Sequence, residues 1–136
     1  MNALTDAELQ YLQGERKLAR VATVGPDGTP HVTPVGMWSV DPATGVVEVT
    51  GRDFDQTKKF RDVARTEGAA IVIDDVLPPF RPRGIEIRGR AEAVRSPSPH
   101  IRIFPQRVIA WGLDDPNTRN ARSVGDSSPR PPKEES

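Results

Sequence analysis

Four residues between positions 52 and 59 have the types and the spacing needed to bind a phosphate group: Arg52, Thr57, Lys58 and Lys59. They follow a strand-like run, GVVEVTG, and the last three lie where the first turn of a helix is expected. A helix N-terminus has unpaired N–H groups and partial positive charge, so lysines there are unfavourable unless an anion is bound. Arginine adds a planar pair of donors suited to phosphate, and threonine adds a hydroxyl. We therefore predict a phosphate-binding turn.

The same residues also fit a solvated helix face that binds nothing. Lys58 and Asp62 are four residues apart, a spacing that favours an ion pair along a helix surface. Without further information, the helix alone leaves both interpretations open.

Catalysis by side chains and metal binding find little support in the sequence. His31 and His100 are the two histidines, and there is no cysteine. Neither histidine has the carboxylate and serine neighbours of a catalytic triad, and no metal-ligand spacing is present. Asp74 and Asp75 are adjacent, so in a strand they would point to opposite faces. We predict no catalytic side chain and no metal ligand.

Composition limits the classes of partner and the extent of the folded domain. Lys plus Arg equal Asp plus Glu at 19 each, which gives no basic field for nucleic acid. The apolar runs are far shorter than the ~18–20 residues of a membrane span, and the N-terminus lacks a signal-peptide pattern. We therefore expect a cytoplasmic protein. Residues 1–114 are assigned to one domain, and residues 115–136, rich in Pro, Ser and charge, to a polar, flexible tail.

The rest of the chain predicts the elements that must position the phosphate-binding turn. The run TDAE at residues 5–8 fits a capping box and predicts a short helix ending near Gln13. A second helix is predicted over about residues 54–66, with Asp53 and Gln56 as its capping pair. Apolar or β-branched runs between turn-forming residues predict six strands: 17–25, 31–40, 45–51, 69–75, 85–94 and 101–112.

The strand pattern is typical of a barrel. Many short antiparallel strands with tight turns favour closure, because closure removes unpaired strand edges. Pro34 and Gly36 interrupt the second predicted strand. We therefore predict a mainly β fold, a six-stranded antiparallel barrel with two flanking helices.

Several stretches, taken in order, resemble a known family. They are LARVATVGPDGTPHVTPVGMW, VVEVTGRDFDQTKKFRDVARTEGAAIVIDD, RGIEIRGRAEAV and IRIFPQRVIAWG. Over about residues 8–113 the chain resembles the split-β-barrel flavin and deazaflavin oxidoreductases of the pyridoxamine 5'-phosphate oxidase-like superfamily. The resemblance implies an FMN-binding split barrel that forms a homodimer, with two cofactor sites at the interface between the subunits.

The resemblance also implies roles for individual residues. The phosphate-binding positions correspond to Arg52, Thr57 and Lys58, with Lys59 beside them. The strand that lies against the cofactor ring corresponds to Thr33, Pro34, Val35 and Gly36. Trp111 matches an aromatic residue of the last barrel strand, which either contacts the cofactor of the opposite subunit or packs in the core.

Two cofactors remain open from the sequence, the deazaflavin coenzyme F-420, which we prefer, and FMN. Both carry a phosphate, but F-420 also carries an oligoglutamate tail that a basic groove would favour. The sequence offers four arginines for such a groove: Arg81, Arg83, Arg88 and Arg90. The vitamin B6 substrate itself is not expected, because the C-terminal stretch lacks the histidine of the family's substrate-binding motif.

The resemblance implies hydride transfer between the cofactor and an oxidised small molecule such as a quinone or a tetrapyrrole. The cofactor would supply the reactive group, which agrees with the absence of a side-chain catalytic pattern. Two alternatives stay open: a non-catalytic carrier of FMN or F-420, and a protein-interaction module that uses the barrel only as scaffold.

Overall fold

A computed structural model describes residues 2–125 of the chain. Two helices, a short 3₁₀-helix (Phe54–Gln56) and eight strands follow one another in this part. The helices are α1 (Asp6–Gln13) and α2 (Lys58–Thr66). The strands are β1 (Ala19–Val24), β2 (Pro30–Val35), β3 (Met37–Val40), β4 (Val47–Thr50), β5 (Gly68–Leu77), β6 (Arg81–Val94), β7 (His100–Trp111) and β8 (Arg119–Ser123).

All eight strands belong to one antiparallel sheet that curls on itself. The order is β2-β1-β5-β6-β7-β4-β3, and β8 pairs with the second half of β7. The two ends of this order, β2 and β3, are consecutive in the chain with Gly36 alone between them. The sheet must therefore bend until its ends approach each other, which confirms the predicted mainly β, split-barrel fold.

A bulge between β6 and β7 helps the sheet to bend. The pairing register shifts between Arg88 and Gly89. A Cβ atom on Gly89 would overlap the carbonyl oxygen of Phe104, so the close approach of the two strands requires glycine.

The barrel is filled by alternate strand residues and closed on one side by α2. Ile71, Ile73, Ile85 and Ile87 are fully buried on neighbouring strands. Phe60 of α2 is also fully buried, and its ring meets that of Phe54 edge-to-face at 5.9 Å between centroids. Because α2 packs on β1 and β6, its first turn is fixed relative to the sheet.

The strand count differs from the prediction of six for two local reasons. The predicted strand over 31–40 is two strands, β2 and β3, because the chain leaves β1 after Val35 and pairs with β4 from Met37 onward. The second extra strand, β8, lies in the predicted polar tail, where five residues pair with β7. The prediction of a flexible tail is therefore wrong for β8, and residues 126–136 lie outside the described residues.

Within residues 2–125, neither helix has the length and apolar character needed to cross a membrane.

Candidate functional site

The predicted phosphate-binding turn lies between β4 and α2, and Thr57 shapes it. Thr57 is the N-cap of α2, and its hydroxyl oxygen accepts a hydrogen bond from the Phe60 N–H at 3.3 Å. The same hydroxyl donates to the Phe54 carbonyl at 2.6 Å. The predicted cap at Asp53 is wrong, since Asp53 makes no capping bond and adopts a left-handed conformation with φ 47°.

Two backbone N–H groups at the start of α2 are left without an acceptor in the helix. Lys58 and Lys59 are the first two residues of the helix, so their N–H groups have no acceptor within it. Thr57 has already committed its hydroxyl hydrogen to the Phe54 carbonyl. Thr57 therefore positions the turn, while Lys58 and Lys59 supply the free donors.

The Lys58 side chain is held by a buried carboxylate. Its ammonium lies 3.0 Å from Asp62 Oδ1, and the Thr23 hydroxyl donates to Asp62 Oδ2 at 2.9 Å. Burial alone would raise the pKa of Asp62, but the hydrogen bonds from Lys58 and Thr23 outweigh it and lower that pKa. The ion pair anticipated from the four-residue spacing is thus present. The Lys58 side chain is still 47% exposed, and its ammonium has three hydrogens, so it can bind an anion as well.

Lys59 and Arg52 flank the turn differently. The Lys59 ammonium lies 5.3 Å from the centre of the Phe54 ring, and burial lowers its pKa. The side chains of Lys58 and Lys59 therefore lie on different sides of α2. Arg52 is exposed in the loop after β4, and no ion pair or hydrogen bond to residues 2–125 holds its side chain.

The predicted ring-binding segment forms the end of β2. Val35 is buried, whereas Pro34 and Gly36 are exposed. A Cβ atom on Gly36 would meet no atom within 4 Å, so open space lies over this residue. Arg16 closes one side by donating to the Gly36 carbonyl at 2.5 Å. A cleft of about 560 Å³ lies nearby, and its lining includes Arg16, Met37, Trp38, Thr50 and His100.

Trp111 lies apart from this turn within one chain. It is paired with Gly84 on β6, and a Cβ atom on Gly84 would lie 2.7 Å from the indole. The chain that leaves the C-terminal end of α2 joins the sheet at Gly68, opposite Arg90 of β6. Arg90 is six residues, or about 20 Å, from Gly84 along β6. The contact between Trp111 and a cofactor bound by the opposite subunit stays a prediction.

Three of the four arginines expected to form a basic groove already have partners. Arg83 lies 2.8 Å from Asp75 and Arg88 lies 2.8 Å from Glu86. Arg90 stacks on the Phe104 ring at 4.4 Å. These contacts neutralise or cover part of the positive charge of the groove predicted there.

The sequence interpretation missed a different set of basic residues beside α2. A cleft of about 390 Å³ is lined by Lys58, Arg61, Arg65 and Arg95, with Pro26, Asp62 and Ala64. The signal was present in the sequence, because positions 58, 61 and 65 lie on one side of a helix. Only the structure could show that Arg95, which follows β6, lies beside α2 in this cleft.

Comparison with known proteins identifies the family. The family model described as pyridoxamine 5'-phosphate oxidase matches residues 4–129, which is nearly the whole chain. The chain belongs to the pyridoxamine 5'-phosphate oxidase family. The chain is also 39% identical over 121 residues to a 5a,11a-dehydrotetracycline/5a,11a-dehydrooxytetracycline reductase of Streptomyces rimosus. The alignment covers 81% of this chain and 84% of the relative. The chain is therefore an oxidoreductase, as its resemblance predicted.

Solved structures agree on the fold of this family member. A conserved hypothetical protein from Mycobacterium tuberculosis superposes with a TM-score of 0.68 at 20% identity, covering 93% of this chain and 95% of the other. A protein named F-420 reductase superposes with a TM-score of 0.55 at 20% identity, covering 73% and 94%. At these identities the likeness supports the fold of the pyridoxamine 5'-phosphate oxidase family and nothing finer.

Proposed function

We propose that this oxidoreductase binds a phosphate-bearing flavin-type cofactor at the α2 turn and transfers a hydride between that cofactor and an oxidised organic molecule. The observation that carries the proposal is the start of α2, where two free N–H groups and two lysines coincide. α2 has no acidic residue in its first turn. An anion at this position would pair with charges that otherwise oppose the helix dipole.

The chain's own residues would hold the phosphate in three ways. The Lys58 and Lys59 amides would donate to phosphate oxygens. The Lys58 ammonium, oriented by Asp62, would add a charge-assisted hydrogen bond, and Arg52 is free to swing toward the same group. Asp62 is therefore a positioning residue for Lys58.

The cofactor ring would lie against the end of β2. The open space over Gly36 leaves room for a flat ring, and Pro34 has no N–H that would need a strand partner there. When bound, the cofactor supplies the hydride chemistry, and the protein orients the ring and excludes water around it.

The cleft beside Gly36 would accept the second reactant. Met37 is 57% exposed, and Trp38 and Thr50 line the same cleft, which gives an apolar wall with a few polar groups. A quinone or a tetrapyrrole is the class that we propose. The relative from Streptomyces rimosus is named as the reductase of a dehydrotetracycline, which supports an oxidised polycyclic substrate.

We prefer coenzyme F-420 to FMN as the cofactor, and we propose that the protein works as a homodimer. The preference rests on the basic side chains that line the cleft beside α2, because F-420 carries carboxylates beyond its phosphate and FMN does not. In the dimer, the cofactor sites would lie at the subunit interface, where Trp111 of one subunit could approach the cofactor bound by the other.

Titrations with FMN and with F-420, followed by quenching of the cofactor's own fluorescence, test the proposal. We expect Lys58→Ala to weaken binding of the higher-affinity cofactor at least tenfold, which corresponds to about 1.4 kcal/mol of binding free energy. Lys17→Ala is the matched control. The Lys17 ammonium lies over the Tyr11 ring of α1, so its removal should leave the cofactor affinity unchanged. Equal affinity of wild type and Lys58→Ala would exclude the phosphate role of Lys58.

Turnover separates the enzyme from the carrier. The protein is mixed with the reduced form of the cofactor that it binds more tightly and with the quinone menadione. An enzyme should catalyse oxidation of the cofactor and reduction of menadione. Binding without turnover of menadione or a tetrapyrrole would favour a carrier, and binding of neither cofactor would contradict the proposed function.

A further inference from the structure

The charges on α2 are unusual when they are compared with those on α1. α1 has Asp6 and Glu8 in its first turn, which suits the partial positive charge at a helix N-terminus. α2 begins with two lysines and contains four basic residues against one acidic residue, Asp62. Like charges three or four residues apart also repel along a helix. α2 is therefore stabilised more than α1 by an anion supplied from outside.

The excess charge is concentrated on one side of α2. We call Lys58, Arg61, Arg65 and Arg95 the basic stripe. The first three lie at i, i+3 and i+7 on the helix, and Arg95 reaches α2 from the end of β6, with its guanidinium 5.0 Å from the Phe60 ring centre. All four line the same cleft of about 390 Å³.

The basic stripe is poorly neutralised by the protein. Asp62 pairs with Lys58, while Arg95 is 68% exposed and lies 3.8 Å from Asp55. Arg61 and Arg65 are exposed and form no ion pair with any residue between 2 and 125. By contrast, Arg83 and Arg88 each lie 2.8 Å from a carboxylate oxygen.

We propose that the basic stripe binds the carboxylates of an extended oligoanion whose phosphate lies at the α2 turn. This inference rests on the proposed function, because the phosphate anchors one end of the ligand. Lys58 and Arg65 are seven residues apart, which is about 10 Å along a helix. An extended peptide covers that distance in about three residues.

The ligand class that fits is therefore a cofactor with a short oligocarboxylate chain beyond its phosphate. The oligoglutamate tail of F-420 has this chemistry, and FMN has nothing beyond its phosphate. The tail would run along α2, not along the arginines of β6 that the sequence suggested. Because the stripe is exposed, its contribution should be modest and should decrease with added salt.

The test compares two forms of F-420 that share the ring and the phosphate, one with its glutamate tail and one without it. Binding to the full-length protein is followed by cofactor fluorescence at low salt. We expect the tailed form to bind wild type about tenfold more tightly. The double variant Arg61→Gln, Arg65→Gln should remove this difference and leave the affinity for the tailless form unchanged.

A double variant with the same change in charge serves as control. Arg81→Gln, Arg119→Gln removes two exposed arginines outside the stripe and should keep the tenfold preference for the tailed form. Equal binding of the two forms by wild type would overturn the inference, as would an equal loss of both forms in the stripe variant. If neither form binds wild type, the proposed function fails as well, so the two failures are distinguishable.

Discussion

Gly36 is the residue at which the requirements of folding and of binding can be separated. It is exposed between β2 and β3, and its φ does not lie in the left-handed region. The space beside it is open, so Gly36→Val should not destabilise the fold. A valine side chain would occupy the space proposed for the cofactor ring. We expect at least tenfold weaker binding of F-420 or FMN, with an unchanged urea midpoint.

Gly125→Val is the matched control for that change. Gly125 also has no atom within 4 Å of an added Cβ, but it lies beyond β8. Fluorescence titration and urea unfolding of both variants give the two readouts. Undiminished cofactor affinity in Gly36→Val would show that the ring does not lie on this segment.

The residue types at the phosphate-binding turn were predictable, but their hydrogen bonds were not. Two lysines at a helix start are visible in the sequence. The sequence could not show that Thr57, and not Asp53, begins α2, because both are good capping residues. It also could not show that Asp62 is buried against Thr23, since that contact joins residues 39 positions apart.

At the level of elements, one ion pair joins α1 to β8. Glu8 is buried, with 2% of its surface exposed. Its carboxylate accepts hydrogen bonds from both terminal guanidinium nitrogens of Arg122, at 2.6 and 2.8 Å. Arg122 also donates to the Ala3 carbonyl at 2.8 Å. Removing Arg122 would leave a buried carboxylate without its cation. We expect Arg122→Ala to lower the free energy of unfolding at pH 7 by about 3 kcal/mol.

The pH dependence of this loss follows from Glu8. Burial alone would raise the pKa of Glu8, but hydrogen bonds from Arg122 and Thr5 outweigh it and lower that pKa. The ion pair therefore stabilises the fold above the ordinary glutamate pKa, about 4.3, and its contribution disappears as the pH falls below it.

Urea unfolding from pH 7 to pH 3 measures this effect. The difference between wild type and Arg122→Ala should shrink toward the acidic end. Arg119→Ala, an exposed arginine on the same strand, should change stability by less than about 0.5 kcal/mol. A difference that stays constant with pH would exclude Glu8 as the cause.

The elements themselves were predicted where their pattern was strong. β1, β5, β6 and β7 were each anticipated within a few residues, because apolar alternation and flanking turns mark them. β8 was missed because its sequence, RNARS, is polar, and its pairing with β7 and with Glu8 depends on residues far away in the chain. Long-range partners of this kind leave no local signal.

For the whole molecule, one face of the sheet has the properties of a subunit interface. Val32 is 66% exposed and Val24 is 42% exposed on neighbouring strands, with Ala22 opposite Val32 in the register. An apolar cleft of about 530 Å³ continues this face across Ala22, Val24, Pro30, Ala69 and Ala70. Adjacent apolar residues on one surface are typical of protein interaction sites. We propose that a second copy of the chain covers this face.

Val32→Glu tests this arrangement, because a carboxylate at the centre of an apolar interface would be buried without a partner. Light scattering should give wild type twice the chain mass of 14.9 kDa and the variant a single chain mass. Val76→Glu is the control: Val76 is 54% exposed on β5, beyond the residues of β5 that pair with β1, and should stay dimeric. Since the cofactor sites are proposed to need both subunits, Val32→Glu should also bind F-420 or FMN at least tenfold more weakly. A wild type of single chain mass, or a monomeric variant with full cofactor affinity, would contradict a site shared between subunits.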